Sequence, residues 1–425
     1  MIIAITFILS LMVGLPIAVA LGATGVMHAL SMQDPYLLVM LPQRMFAASD
    51  SFSLMAIPLF ILAGELMGFG GVTEKLADMS RSVIGHITGG MAYVTVIVGC
   101  FLGALLGSAN AAAALLGRVL HPEMKKDGYD DEFSTCLTAA TSILGPIIPP
   151  SMIFIVYGVA AQLSIGELFF AGIIPGLLLA ASFMIVIYVQ GRKANWEVRP
   201  KATVKEVGTS FVKAAPSLIV PLIILGGILG GVTTPTESAA AASVVAVFLG
   251  TVVYKKLKLS QIPLILERTG VTSACIMIIV AMANILGWTM ALDQIPQMIA
   301  GSMLSLTQNP YLILLMVNIF LLFVGMVMET IAAIIILVPV FLPVIDAVGI
   351  DPLHFGLVVS LNLVIGLITP PVGVALFTTS IVTGTPLQKL VRPIWVWVGA
   401  AWGVLMIITY VPWLVTFLPR MFFQH

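Results

Sequence analysis

This 425-residue sequence has little charge: Asp, Glu, Lys and Arg together make up 9% of it. A soluble domain carries roughly 25%, and so few ionic groups could not solvate the surface of a water-soluble fold of this length. Nineteen basic residues balance nineteen acidic ones, which leaves no electrostatic footprint for nucleic acid. The three cysteines (Cys100, Cys136, Cys275) are far apart, so neither a disulfide framework nor a thiolate metal site is expected. There is no GxxxxGK[ST] phosphate loop, so ATP is not expected as a ligand. No Ser/His/Asp or Cys/His set suggests an enzyme. The histidines do not cluster either: His28, His86, His121 and His425 fall near predicted membrane edges, and His354 in the loop before a later apolar tract.

What is abundant is apolar: 60% of the residues. A spanning helix needs about 20 such residues to cross roughly 30 Å of hydrocarbon. Suitable tracts run over about 2–28, 52–70, 134–158, 166–190, 214–232, 237–254, 270–292, 354–384 and 394–418. The first lacks a basic n-region and a small-residue cleavage site, so it reads as a retained helix. Two further tracts, 87–117 and 309–345, have the wrong length for whole crossings. Each is interrupted midway, by Gly107-Ser108-Ala109-Asn110 and by Met328-Glu329-Thr330.

Lys and Arg mark cytoplasmic connections. They collect at Lys75/Arg81, Arg118/Lys125/Lys126, Arg192 to Lys205, Lys255/Lys256/Lys258/Arg268 and Lys389/Arg392. The connections near 159–166, 233–237, 293–309 and 346–353 have none. Both kinds alternate along the chain, except that 87–117 starts and ends on the basic side and 309–345 on the uncharged side. Two re-entrant helical hairpins are therefore expected, opening to opposite faces; for the second, two tightly joined full spans are the alternative. Arg44 and Arg420 fall on the nominally external side.

Self-comparison relates the two regions. Gly145-Pro146-Ile147-Ile148-Pro149-Pro150 resembles Gly366-Leu367-Ile368-Thr369-Pro370-Pro371 at an offset of 221 residues (366 − 145). The same register pairs Ala111 with Ala332, Pro122 with Pro343, Gly128 with Gly349 and Asp130 with Asp351. The expected fold is thus an all-α polytopic membrane protein. A single transmembrane domain, 1–425, would contain an inverted repeat whose units, 87–158 and 309–384, each comprise a hairpin and a broken helix. Such repeats, with discontinuous helices meeting at mid-membrane, characterise many secondary transporters. Each Pro-Pro pair removes two backbone donors and forces the preceding residue out of helical geometry. The carbonyls so freed must be satisfied by a cation such as Na⁺, by a polar ligand, or by neighbouring helices around a plain kink.

Few polar side chains reach this depth. Ser108 and Asn110 lie at one hairpin tip, Glu329 and Thr330 at the other, Thr369 in the second break, and Thr141, Ser142 and Asn362 beside the breaks. Glu329 reads two ways: as a functional intramembrane acid, or as a cap accepting N–H groups at a helix start. Thr234-Pro235-Thr236-Glu237 is a capping box, Glu65 marks an interface, and Trp395, Trp397, Trp402 and Trp413 read as anchors and packing.

At several strings the chain resembles the large membrane subunit of tripartite ATP-independent periplasmic (TRAP) transporters. They are Ala56-Ile57-Pro58-Leu59-Phe60-Ile61-Leu62-Ala63-Gly64-Glu65, Pro122-Glu123-Met124-Lys125-Lys126, Ile147-Ile148-Pro149-Pro150-Ser151, Thr234-Pro235-Thr236-Glu237, Ala332 to Pro339, and Asn362 to Phe377. That resemblance implies a permease of the bacterial inner membrane working as an elevator, with a transport domain sliding on a scaffold. It implies Na⁺-coupled uptake of an organic acid such as sialic acid, a C4-dicarboxylate or a sugar or keto acid. The implied partners are a periplasmic substrate-binding protein, a separate small four-helix membrane subunit and the surrounding lipid. About two Na⁺ sites follow, one at Ser108, Asn110, Gly145, Ile148 and Pro149, the other at Gly325, Thr330, Gly366, Thr369 and Val372. Substrate would contact Ser108, Asn110, Glu329, Thr330 and Thr369. Two departures stand out: Leu106-Gly107-Ser108-Ala109 replaces the family's usual Ser-Gly-Ser-Ser, and Glu329 replaces its usual Asp. The alternatives are an ion channel, for which the polar lining is sparse, and a stand-alone Na⁺/dicarboxylate symporter.

Overall fold

The computed structural model describes residues 2–192, 196 and 200–423. No strand occurs among them. Part of the basic connection from Arg192 to Lys205 lies outside the described residues, as does His425.

The N-terminal tract, expected to be one helix, is two: α1 (Ile2–Met12) and α2 (Ile17–Ser31). Gly14 takes φ +81° and Pro16 is extended at φ −55°, ψ 142°. A left-handed glycine followed by a proline, which bars helical geometry at Leu15, ends the first helix. A third helix not expected from hydropathy, α3 (Pro35–Ser49), starts where Asp34 accepts the Tyr36 N–H at 3.0 Å. Its Pro42, Gln43 and Arg44 mask it as a loop in the sequence.

Then come α4 (Ala56–Phe69), amphipathic α5 (Val72–Ile84), α6 (Gly90–Leu106), α7 (Ala109–Val119), short α8 (His121–Lys126), α9 (Asp131–Ser142), α10 (Met152–Ala161) and α11 (Ile165–Gly191). The middle of the chain forms α12 (Val204–Leu229), α13 (Pro235–Phe248), α14 (Ile262–Leu292) and α15 (Ile295–Leu306). Thr234 opens α13 with a reciprocal cap: its hydroxyl accepts the Glu237 N–H at 3.3 Å, and Glu237 accepts the Thr234 N–H at 2.7 Å. The last third comprises α16 (Pro310–Val327), α17 (Thr330–Ala347), α18 (Pro352–Gly366), α19 (Val374–Thr383), α20 (Leu387–Leu390), α21 (Ile394–Tyr410) and α22 (Trp413–Phe423). The tract 394–418, expected to be one span, bends by 59° between α21 and α22. Pro412 at the bend supplies no N–H and pushes Val411 out of the helical region. His354, expected in a loop, is buried in the first turn of α18, where its Nε2 lies 2.9 Å from the Ile408 carbonyl.

Among the described residues, seven helices are long and apolar enough to cross a membrane, or eight if the bent pair counts as one span. This is a multi-pass membrane protein. Helices α2 and α14 pack side by side, as do α4 and α13. The other elements interlock. The second arm of the α6–α7 hairpin packs along α19, and the second arm of the α16–α17 hairpin along α10. At one end of this core the Thr135 hydroxyl lies 2.9 Å from that of Thr385, joining α9 to the segment after α19. At the other, the Tyr157 hydroxyl donates to the Pro352 carbonyl at 2.7 Å. Trp397 fills the interior between Phe133 and Phe183, with centroid separations of 5.9 and 5.7 Å.

Glu237→Ala removes one half of the α13 cap. It is expected to cost about 1 kcal/mol and to lower the thermal unfolding midpoint in detergent. An unchanged midpoint would mean that the cap does not form in the membrane protein as purified.

Candidate functional site

Each hairpin turns on two residues of extended or left-handed backbone. In the first, Gly107 adopts φ +58°, and Ser108 caps α7, its Oγ accepting the Ala111 N–H at 3.5 Å. A side chain at Gly107 would press on Met152, whose Cγ stands 3.1 Å from an ideal Cβ there. The tip thus rests against the start of α10. In the second, Met328 is extended and Glu329 caps α17, with Oε2 accepting the Ile331 and Ala332 N–H groups at 2.9 and 3.1 Å. Of the two readings of Glu329, this geometry realises the cap. A carboxylate there satisfies donors that a helix start leaves open, and it complements the positive end of the helix dipole.

The two Pro-Pro pairs occupy gaps in helical hydrogen bonding, 143–151 between α9 and α10 and 367–373 between α18 and α19. Both Pro-Pro peptide bonds are cis. In the first gap Ser151 donates to the Pro146 carbonyl and accepts the Phe154 N–H at 3.4 Å. In the second, the Thr369 hydroxyl donates to the Ile365 carbonyl at 2.7 Å, and the Ala375 N–H reaches back across the gap to Leu367 at 2.9 Å.

Glycines set how closely the neighbours approach. A Cβ on Gly366 would lie 2.3 Å from the Gly325 carbonyl carbon, and one on Gly325 would lie 2.9 Å from the Leu363 oxygen. Helices α16 and α18 therefore touch backbone to backbone beside the second gap. Around the first, a Cβ on Gly172 of α11 would lie 2.8 Å from the Ile147 oxygen, and one on Gly176 would strike Ile148.

Of the predicted site residues, the structure brings Gly325 and Gly366 into direct contact and buries Thr330, Thr369, Gly145 and Pro149. Ser108, Asn110 and Ile148 are half-buried, Ile148 against α11. Val372 and Glu329 are exposed. Six side-chain oxygens on these elements are buried and make no hydrogen bond within the protein: Asn110 Oδ1, Thr141 Oγ1, Thr330 Oγ1 and Asn362 Oδ1 near the tips and gaps, and Ser134 Oγ and Ser360 Oγ farther along α9 and α18. Leaving such a group unpartnered costs about 1–3 kcal/mol. Neutral oxygen donors of this kind suit a hard cation, which helix breaks in transporters bind with their carbonyls. Among the described residues no three His, Cys, Asp or Glu side chains come together as a metal-ligating cluster.

Residues 4–414 match the family model described as the tripartite ATP-independent periplasmic transporter, DctM component. The chain belongs to this family. It is 40% identical, over 383 residues and 90% of either chain, to the sialic acid TRAP transporter large permease protein SiaM of Vibrio cholerae. It is 41% identical over 412 residues to the isethionate TRAP transporter permease protein DctMQ of Oleidesulfovibrio alaskensis, a match that takes in 96% of this chain and 64% of that protein. The crystal structure of the Alcanivorax borkumensis YdaH transporter has the same fold, with a TM-score of 0.64 at 15% identity over 96% of this chain and 98% of the other.

The structure adds to this TRAP large permease a polar cluster that sequence reasoning missed. Asn318 of α16 is fully buried and accepts from the Asn362 amide at 2.8 Å through its side chain and at 2.9 Å through its backbone. Its own amide donates to Thr409 of α21 at 3.0 Å. The cluster ties the hairpin's first arm and the broken helix to α21, one helix turn or more from the gap. Its signal was a lone Asn inside the 18-residue apolar run of α16. In short α8, burial pushes the His121 imidazole below its ordinary range, while Asp131, 3.7 Å away, partly opposes the shift.

Gly366→Ala is expected to abolish transport and lower the melting temperature, because its methyl must displace the α16 backbone. Gly399→Ala, which meets nothing within 4 Å, is the matched control and should transport normally. A fully active Gly366→Ala permease would show that the contact is dispensable.

Proposed function

We propose that this permease takes up an organic acid by Na⁺ symport in the bacterial inner membrane, receiving it from a periplasmic binding protein and working beside a small four-helix membrane subunit. Its halves act as an inverted repeat: the hairpins and broken helices form a transport domain that moves, elevator-fashion, against a scaffold including α2, α4, α13 and α14. The observation that carries this reading is the set of buried, unpartnered oxygens of Asn110, Thr141, Thr330 and Asn362 on hairpin starts and beside helix gaps. Thr141 and Asn362 stand at the same offset as the two Pro-Pro pairs, as do the hairpin caps Ser108 and Glu329. The exchanged packing of α7 on α19 and α17 on α10 is what two oppositely oriented copies would produce.

The mechanism follows from those groups. Na⁺ at each tip is coordinated by the unpartnered oxygens and by carbonyls of the facing gap, which replaces its lost hydration. The first site draws on Ser108, Asn110, Gly145, Ile148 and Pro149, and the second on Gly325, Thr330, Gly366, Thr369 and Val372. With both tips ordered, the N-terminus of α7, capped by the neutral Ser108, faces the substrate with a positive dipole end, which favours an anionic head group. Ser108, Asn110, Thr330 and Thr369 offer it hydroxyl and amide contacts. Glu329, held by its own helix start, presents negative charge that discourages a second substrate acid at that tip. Sialic acid, a C4-dicarboxylate and sugar or keto acids are the substrate classes to test. The named relatives handle a carboxylate and a sulfonate, so one acidic head is what their substrates share.

Reconstitution tests this directly. Proteoliposomes carrying the permease, its small subunit and the cognate binding protein should accumulate the acid only with an inward Na⁺ gradient. Thr330→Ala should raise the half-saturating Na⁺ concentration about tenfold, as expected for losing one oxygen ligand to a charge. Uptake without Na⁺, or an ungated conductance, would refute the reading.

A further inference from the structure

A cleft of about 760 Å³ opens between α5, the segment 200–203 and the first turns of α12. Its charged lining is Lys75, Asp78 and Arg81 on one wall and Lys201, Glu206 and Lys213 on the other, four cations against two acids. Both acids are engaged locally. Asp78 stands 4.0 Å from Lys75, and Glu206 accepts the N–H and the hydroxyl of Thr203 at 2.7 and 2.9 Å. Lys201 and Lys213 are exposed, and among the described residues neither has a carboxylate within ion-pair distance. Arg81 reaches Glu123 at 3.2 Å through one terminal nitrogen, and Glu123 also takes Lys126 at 2.8 Å. The Arg81 Nε is buried and has no hydrogen-bond partner. The cleft thus combines two unpaired ammonium groups with one unsatisfied buried donor.

We propose that this cleft binds the phosphate of an anionic phospholipid from the cytoplasmic leaflet, held by Lys201 and Lys213 on one wall and by Lys75 and the Arg81 Nε–H on the other. Basic pockets between helices at the cytoplasmic surface take such head groups, and the positive-inside rule puts both walls there. Residues 204–213 of α12 precede the apolar run that begins at 214, which sets the cleft at head-group depth. Its rim is apolar: Val83 follows Ser82 of the lining, Phe211 follows Ser210, and Val212 precedes Lys213, all three exposed. A free phosphate would leave these side chains bare, whereas a diacyl ligand lays its chains beside them. The volume lies within the roughly 300–1,000 Å³ of small-ligand sites, more than a bare phosphate fills, and Ser82 and Ser210 offer hydroxyls to a glycerol head. Helix α5 packs on α6, the first arm of the first hairpin, and α12 packs on α13, so a head group bonded to both walls ties that hairpin to the α4–α13 pair. This inference goes beyond the uptake reading and does not depend on it.

The test uses the full permease with its small subunit, delipidated in detergent and kept free of Na⁺ and substrate. Native mass spectrometry follows its titration with dioleoylphosphatidylglycerol, dioleoylphosphatidylcholine, glycerophosphate and inorganic phosphate. Phosphatidylglycerol should bind about tenfold more tightly than phosphatidylcholine, and the two soluble phosphates should not displace it. Lys201→Gln and Lys213→Gln should each weaken phosphatidylglycerol binding about fivefold, and the double variant about 25-fold. Lys201→Arg with Lys213→Arg should keep the affinity of the wild type. Lys389→Gln with Arg392→Gln removes two equally exposed cytoplasmic cations elsewhere and should also leave it unchanged. Equal binding of both lipids, an unaltered affinity in the Lys201/Lys213 double Gln variant, or an equal loss in the Lys389/Arg392 pair would overturn the site. Displacement by glycerophosphate or inorganic phosphate at the same concentration as lipid would show a soluble-phosphate site and overturn the lipid assignment. Because no ion gradient or substrate enters the measurement, a permease without Na⁺-driven uptake would overturn the transport reading and leave this result standing.

Discussion

Inside hydrocarbon a peptide group with no partner costs several kcal/mol, and this protein interrupts two of its helices there. Everything near 143–151 and 367–373 is organised around that cost. Ser151 ties up the Pro146 carbonyl, the Ala375 N–H reaches across its gap to Leu367, and Thr369 serves Ile365. These contacts cover part of the exposed backbone. The side-chain oxygens of Asn110, Thr141, Thr330 and Asn362 stay unpartnered beside it.

Such an arrangement requires neighbours that come close without bringing donors of their own. Glycine does this at Gly325, Gly366, Gly172 and Gly176, where bare backbone or a small face meets the gap segments. The hairpin tips solve the related problem of helix starts. Ser108 and Glu329 each accept N–H groups that would otherwise be orphaned, but with different charge. One tip is therefore capped by a hydroxyl and the other by a carboxyl group. The Asn318–Asn362–Thr409 cluster adds a polar anchor from α16 and α18 to α21.

Much of this was readable beforehand because membrane crossing leaves a coarse signature. Apolar tracts located the long helices, although α12 and α14 begin 10 and 8 residues earlier than expected (214 − 204 and 270 − 262) and α15 falls in what reads as a connection; the polar interruptions at Ser108 and Glu329 marked the turns where α7 and α17 begin. Misreadings had local causes. Proline and glycine at Gly14, Pro16 and Pro412 break helices inside tracts whose mean hydropathy is uninterrupted, and hydropathy averages over such points. The unexpected helix α3 fails in the other direction, since Arg44 and Pro42 lower its apolar score while its caps and packing against α14 sustain it. Asn318 stood in plain view, but a single amide reveals its partner only when a second helix is placed beside it.

Composition, periodicity and the recurrence of Pro-Pro thus determined by themselves that the chain crosses the membrane many times, where two of its paired helices turn, and several of the polar side chains beside those turns. Those properties are local or statistical, and a residue carries them wherever the chain goes. Only the tertiary structure decided which of those side chains meet. That Gly325 touches Gly366, that Glu329 spends an oxygen on its own helix, and that cations of α5 and α12 line one cleft depend on the packing of helices distant in sequence. No spacing along one chain encodes that packing directly.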